Sequence, residues 1–202
     1  HTHKKAAEEL RLLMTADITD NERMSLFLAA LGDLNEHMTL AQMKEQIIQF
    51  GVAAEIFEDA LIPFLPKILG NFTKKLKDEA HHKIYAVIAE AVGQLEWHIL
   101  SHLEGDEQLS AFEKHFELFA HQVLDKTRSK TIQQGALSCL TKIIVNCPDE
   151  VLFDRLPDIT TRMEQMVRSK HFQAHQQYLE CLISVIFHIQ TEFRHFYQKF
   201  LP

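Results

Sequence analysis

Apolar residues recur along this chain at alternating steps of three and four, and that spacing admits one kind of secondary structure. Ile84, Val87, Ile88, Ala91, Val92, Leu95 and Ile99 fall at i, i+3, i+4, i+7, i+8, i+11 and i+15, one face of an α-helix. Ile132, Ala136, Cys139, Leu140 and Ile143 follow the same rule, as do Tyr178, Cys181, Leu182, Val185, Ile186 and Ile189. Three further sets alternate with these: Leu65 to Leu76, Leu109 to Val123, and Leu156 to Val167. No segment alternates with period two. With only 6 Gly and 5 Pro in 202 residues, the chain also lacks the turn residues that an all-β fold needs. The expectation is an all-α protein with helices over 4–14, 22–36, 40–50, 62–77, 80–100, 108–125, 130–146, 152–168 and 172–190, and a final helix from about residue 191.

A repeat underlies this series. Phe64-Leu65-Pro66 and Arg155-Leu156-Pro157 read as helix openings, and Phe200-Leu201-Pro202 ends the chain. Proline suits the first turn of a helix, where its missing N–H has no intrahelical partner to lose. The leucine gaps are two periods and one period of about 45 residues, and a copy without Leu-Pro falls near Phe112. Two helices per period of that length is the pattern of HEAT-type repeats, whose pairs bury their apolar faces only by stacking. The chain therefore reads as one domain over residues 1–202, an α-solenoid of about four helix pairs with flanking helices. Because it stops on a repeat-opening tripeptide, it reads as part of something longer.

The composition removes several function classes. At a net charge of −7, a globally basic nucleic-acid binder is excluded. No apolar run approaches the roughly 18 residues of a membrane span. Cys139, Cys147 and Cys181 have no paired spacing and lie in apolar stretches, which predicts buried, reduced thiols in a cytoplasmic protein. There is no GxGxxG, P-loop or GxSxG. His98 with His102, and His171 with His175, have a two-ligand helical spacing, but neither pair sits in an HExxH. Asp106-Glu107 and Asp149-Glu150 fall at helix starts, where carboxylates complement the helix dipole. The expectation is therefore a non-enzymatic module, with no catalytic residues, no metal and no cofactor.

Charge is distributed unevenly. In a stack of helix pairs, the turns within pairs share one edge and the turns between pairs share the other. The windows 74–83, 126–130 and 168–170 cover the within-pair turns and hold 9 of the 21 basic residues against two acids. These eighteen residues carry +7, and the other 184 carry −14. Capping of helix C-termini accounts for Lys77, Lys126 and Arg168. Lys130 and Lys170 are read as entering the next helix at its positive end, against the dipole. The candidate partner-binding set is Lys74, Lys77, Lys126, Arg128, Lys130, Arg168 and Lys170, a basic ridge for an acidic partner.

Several stretches resemble TOG-like HEAT domains, with the closest resemblance to the plant tortifolia/spiral microtubule-associated family. They are Leu65-Pro66-Lys67-Ile68 through Lys74-Lys75-Leu76-Lys77-Asp78 and the helix ending Glu90-Ala91-Val92-Gly93-Gln94-Leu95. Gly135 to Ile144 with Cys147-Pro148, and Leu156-Pro157 to Phe172-Gln173-Ala174, belong to the same resemblance, and the segment from Arg23 to Ile48 resembles the family's first repeat. The resemblance implies binding to tubulin or the microtubule lattice through the within-pair turns, and a cytoplasmic, cytoskeleton-associated protein that binds neither nucleic acid nor membrane. This chain departs from tubulin-gripping TOG domains at two places. The first within-pair turn is Glu36-His37-Met38-Thr39, where those domains carry an aromatic residue, and His81-His82-Lys83 stand where an Arg is usual. The departures favour charge-driven lattice binding over a grip on the curved dimer. The alternative is a general HEAT-repeat scaffold for another protein partner.

Overall fold

The computed structural model describes residues 38–200 and the isolated positions Glu8, Leu12, Glu22 and Ser25. Apart from those four positions, the helices expected over 4–14 and 22–36 lie outside the described residues, as do Leu201 and Pro202. Every regular element among the described residues is helical. The α-helices are α1 (Leu40–Phe57), α2 (Leu65–Leu76), α3 (Tyr85–Leu100), α4 (Gly105–Leu124), α5 (Lys130–Asn146), α6 (Asp149–Arg168) and α7 (His175–Phe200). Two 3-10 segments, Glu58–Phe64 and Glu79–Ile84, lead into α2 and α3.

Local chemistry sets the helix starts. At α1, Thr39 Oγ1 accepts from the Gln42 N–H at 3.2 Å, and Gln42 Oε1 accepts from the Thr39 N–H at 2.9 Å. This reciprocal box satisfies two N–H groups that a helix start leaves without partners. Ser129 caps α5 through the Ile132 N–H. Asp106-Glu107 and Asp149-Glu150 occupy the first turns of α4 and α6, as their sequence positions suggest. Gly105 takes φ +55, a conformation that glycine adopts without steric penalty, where the chain enters α4.

The helices form two rows. α1, α3, α5 and α7 pack side by side, and α2, α4 and α6 form the second row, with α4 laid on α5 and α6 on α7. The core runs continuously between the rows. Phe50 of α1 meets Phe72 of α2 edge to face at 5.4 Å, and Phe112, Phe119, Leu140, Ile143 and Met166 carry the buried zone onward. Gly93 lets α5 come close to α3: a Cβ there would lie 2.9 Å from Asn146 Nδ2.

Three expectations are corrected. No separate helix begins near residue 191, because α7 runs unbroken from His175 to Phe200. No Gly or Pro interrupts that stretch, and the Thr191 hydroxyl bonds back to the Phe187 carbonyl at 3.1 Å. Arg155-Leu156-Pro157 does not open a helix: α6 begins at Asp149 after Pro148, and Pro157 lies inside it. The carbonyl that Pro157 leaves without a donor belongs to Phe153, a residue with an exposed side chain, so solvent can reach this stretch. Finally, α1 passes through Gly51 and ends at Phe57, because Gly51, Val52, Ala53 and Ala54 are buried in the row and packing outweighs the glycine's low propensity.

Candidate partner-binding edge

The three basic turns are each held by a different set of bonds, and a side chain of α5 then links the second and third. In the turn after α2, Asp78 caps the 3-10 segment by accepting from the Ala80 N–H at 2.9 Å. Tyr85, the first residue of α3, shares its hydroxyl proton between the Leu76 carbonyl at 2.9 Å and the Asp78 carbonyl at 2.8 Å. Burial, followed by Asp78 and Glu79, pushes that hydroxyl up to about 12. Lys74, Lys77 and Lys83 project to solvent. Lys75 does not: only 7% of it is exposed, and its ammonium bonds Asn71 Oδ1. Burial, followed by the Lys74 charge, pulls Lys75 down to about 8.

The turn after α4 is organised by Asp125. Its Oδ1 accepts from the Thr127 N–H at 2.9 Å and from the Thr127 hydroxyl at 2.7 Å, and these bonds hold the carboxyl below its usual range. Arg128 is half-buried, with Nε 3.3 Å from Asp125 Oδ2 and 3.1 Å from Gln122 Oε1. Lys126 and Lys130 stand exposed on either side. In the turn after α6, Phe172 is buried and anchors the segment, its ring 5.6 Å from Tyr178. Arg168 pairs with Glu164 at 2.6 Å, one helical turn back, and Lys170 is exposed.

Gln133 joins the second and third turns. From α5, its Nε2 donates to the Arg128 carbonyl at 3.2 Å and to the His171 carbonyl at 2.9 Å, while its Oε1 accepts from the Gln173 N–H at 2.9 Å. Gly135, two residues on, faces the first turn: a Cβ there would meet Tyr85 Cδ2 at 2.7 Å and Leu76 Cδ1 at 2.8 Å. The starts of α3 and α5 and the approach to α7 thus lie along one edge, and the three turns lie with them. Of the candidate residues, Lys74, Lys77, Lys126, Lys130 and Lys170 are exposed and make no ion pair with a described residue, whereas Arg128 and Arg168 are paired. Lys130 is the first residue of α5, as expected. Lys170 is not at a helix start, since α7 begins five residues later, so it does not oppose a dipole.

The opposite edge carries imidazole–carboxylate pairs. Glu96 of α3 is 1% exposed and bonds His115 Nδ1 of α4. His188 of α7 bonds the Asp149 carboxylate through Nδ1 and faces the Ile144 carbonyl through Nε2 at 2.6 Å. His102 lies 3.8 Å from Glu58. Among the described residues no group of three or more His, Cys, Asp or Glu could hold a metal ion. The sequence reading missed Gln133 and Glu96. Each is a polar residue on a buried apolar helix face, and that break in the periodicity is the signal that could have found them.

A family model for the TORTIFOLIA1 N-terminal domain matches residues 1–202. The chain belongs to that family. The TORTIFOLIA1-like family is associated with microtubule-related function, and the family is not a known enzyme family. No curated protein and no solved structure gives a significant match. No helix among the described residues of this TORTIFOLIA1 N-terminal domain is long and apolar enough to cross a membrane. All three cysteines are buried.

Proposed function

We propose that this domain is a TOG-like HEAT-repeat module, without enzymatic activity, that binds tubulin or the microtubule lattice through the ridge of within-pair turns. The observation that carries the reading is the set of five exposed lysines without an ion-pair partner among the described residues: Lys74, Lys77, Lys126, Lys130 and Lys170. They lie on three turns, the second and third tied by Gln133 and the first packed against Gly135 of the same helix, on a chain whose net charge is −7. Such a chain is repelled by an acidic partner in most orientations and attracted in one, which gives the ridge control of both orientation and encounter rate. The two-row packing of helix pairs, with α2, α4 and α6 starting at residues 65, 105 and 149, supports the HEAT reading.

The test is microtubule co-sedimentation of the parent and of a variant carrying Lys126→Glu, Lys130→Glu and Lys170→Glu. The side chains are exposed, so stability should change by no more than about 0.5 kcal/mol per site. Binding by the parent should weaken as salt rises and should be lost in the variant. Retained binding by the variant would overturn the ridge as the binding surface. A parent that fails to sediment even at low salt would overturn the microtubule reading and leave the general protein scaffold. The exposed Trp97 and Phe153, both outside the ridge, favour that second reading.

A further inference from the structure

The row of α1, α3, α5 and α7 has an open face, turned away from α2, α4 and α6. Apolar side chains stand on it: Trp97 of α3 (62% exposed), Val145 of α5 (54%), and Ile183 (51%) and Phe187 (64%) of α7. Trp97 lies two turns beyond Glu90, whose carboxylate reaches across to Lys142 of α5 at 2.5 Å. α3 is packed by both α1 and α5, and α5 by both α3 and α7, yet Trp97 and Val145 stay exposed. Stacking of helix pairs therefore does not cover this face. Between α5 and α7 it dips into a groove of about 480 Å³, with Val145 on one wall and Ile183 and Phe187 on the other. A helix placed on the far side of α7 would leave this groove open.

The polar groups of the groove offer acceptors and no free donor. The hydroxyls of Thr141, Ser184 and Thr191 donate back along their own helices, to the Leu137, Cys181 and Phe187 carbonyls at 3.0, 2.6 and 3.1 Å. His188 has Nδ1 on the Asp149 carboxylate and Nε2 on the Ile144 carbonyl, so neither ring nitrogen is left for a ligand. Glu180 is exposed without an ion pair to a described residue, and Asp149 meets His188 through Oδ1 alone. No lysine or arginine lines the groove, since Lys142 is turned to Glu90. The two carboxylates bracket the apolar side chains: His188, which holds Asp149, is eight residues past Glu180, about 12 Å along the helix.

We infer that this groove docks a helix of a partner protein whose contact face carries apolar side chains between two cations. Lys and Arg side chains are donors only, so they match a site of acceptors and negative charge. An acidic or phosphorylated segment would meet two carboxylates and find no donor. Every regular element among the described residues is helical, so an extended segment would gain no strand edge to pair with. A helix instead lays its i, i+3, i+4 and i+7 side chains into a groove, and about 12 Å spans two of its turns. Cations at i and i+7 then reach Glu180 and Asp149, with apolar residues at i+3 and i+4 between them. The groove lies apart from the ridge, so the inference stands whether or not the ridge binds microtubules.

Fluorescence anisotropy with labelled synthetic peptides and the 202-residue chain tests it. The probe is an alanine-based helix of about 18 residues, with Lys at i and i+7 and Leu at i+3 and i+4. One control peptide carries Glu in place of Lys, and another Ser in place of Leu. The probe should bind with a Kd of about 10–100 µM, and each control at least about tenfold more weakly. Glu180→Lys, and separately Ile183→Ser with Phe187→Ser, should each weaken the probe about tenfold or more. Circular dichroism should not change, because these side chains are exposed. Asp158→Lys, the same charge change on exposed α6, should leave binding as it was. Equal binding of the Glu control overturns the cationic partner. Equal loss in Asp158→Lys means attraction to the acidic chain as a whole and overturns the groove, as does a probe that fails to bind at about 1 mM. Sedimentation equilibrium of the chain alone covers the other occupant: self-association that Phe187→Ser abolishes would put a second copy in the groove and overturn the partner helix.

Discussion

Gln133 on α5 and His171, in the turn between α6 and α7, are joined by a 2.9 Å hydrogen bond from the Gln133 Nε2 to the His171 carbonyl, across 38 positions of sequence. The same side chain holds the Arg128 carbonyl and the Gln173 N–H, so a single buried amide sets the spacing of two basic turns.

Replacing Gln133 by Ala should therefore be costly. It leaves two carbonyls and one N–H of the turns without this partner, at a site where Gln133 itself is 1% exposed. The expected loss is about 2–4 kcal/mol in denaturant unfolding, more than for an ordinary surface Gln→Ala. A loss under about 0.5 kcal/mol would mean that the turns hold their places without it.

Two glycines should respond to alanine with opposite signs. At Gly135 a Cβ would meet Tyr85 and Leu76 below 3 Å, and Tyr85 cannot swing aside without giving up its bonds to the Leu76 and Asp78 carbonyls. Gly135→Ala should destabilise by about 1–3 kcal/mol despite its better helix propensity. At Gly70, inside α2, a Cβ meets nothing within 4 Å, so Gly70→Ala should stabilise by roughly 0.5–1 kcal/mol. Thermal unfolding of the two variants beside the parent would show either the sign difference or its absence.

Lys75 gives a pH dependence of definite sign. Its folded value, about 8, lies below its ordinary 10.5, so the folded state binds the proton less tightly than the unfolded state. The penalty for burying the charge is fully present below about pH 8 and is relieved as pH rises toward 10.5, so this residue makes stability rise across that window. Buried thiols and Tyr85 act in the opposite direction at high pH, so the quantity to measure is the difference between the parent and Lys75→Met. The variant's advantage should be largest near neutrality and should shrink as pH rises. A difference that does not vary with pH would show that Lys75 is solvated in the folded state.

Helices were legible because the evidence for them is local. The three-and-four spacing of Ile84 to Ile99 or of Ile132 to Ile143 is imposed by backbone geometry, whatever those faces later meet. The edge was legible for a related reason: once pairs alternate, parity alone sends Lys74, Lys126 and Lys170 to one side. Helix ends were harder to read. Leu-Pro opens α2 but lies inside α6, because a proline is tolerated where solvent can take over the lost bond, and the dipeptide carries no record of its surroundings.

The sequence by itself determined that the described chain is helical, which helix faces are apolar, and that its positive charge gathers in alternate turns. All of these follow from the order of residues along a backbone of known pitch. Tertiary structure decided what each charged group is free to do. Lys75 and Lys74 are neighbours of the same kind, yet one is buried against Asn71 and the other faces solvent. Arg128 is tied to Asp125 and Gln122, while Lys126 and Lys130 stand exposed beside it. The tie made by Gln133 across two turns, and the exposure of one α7 face while another is buried, likewise depend on which elements come to lie alongside. Burial and pairing are set by neighbours distant in sequence, and a local pattern cannot specify them.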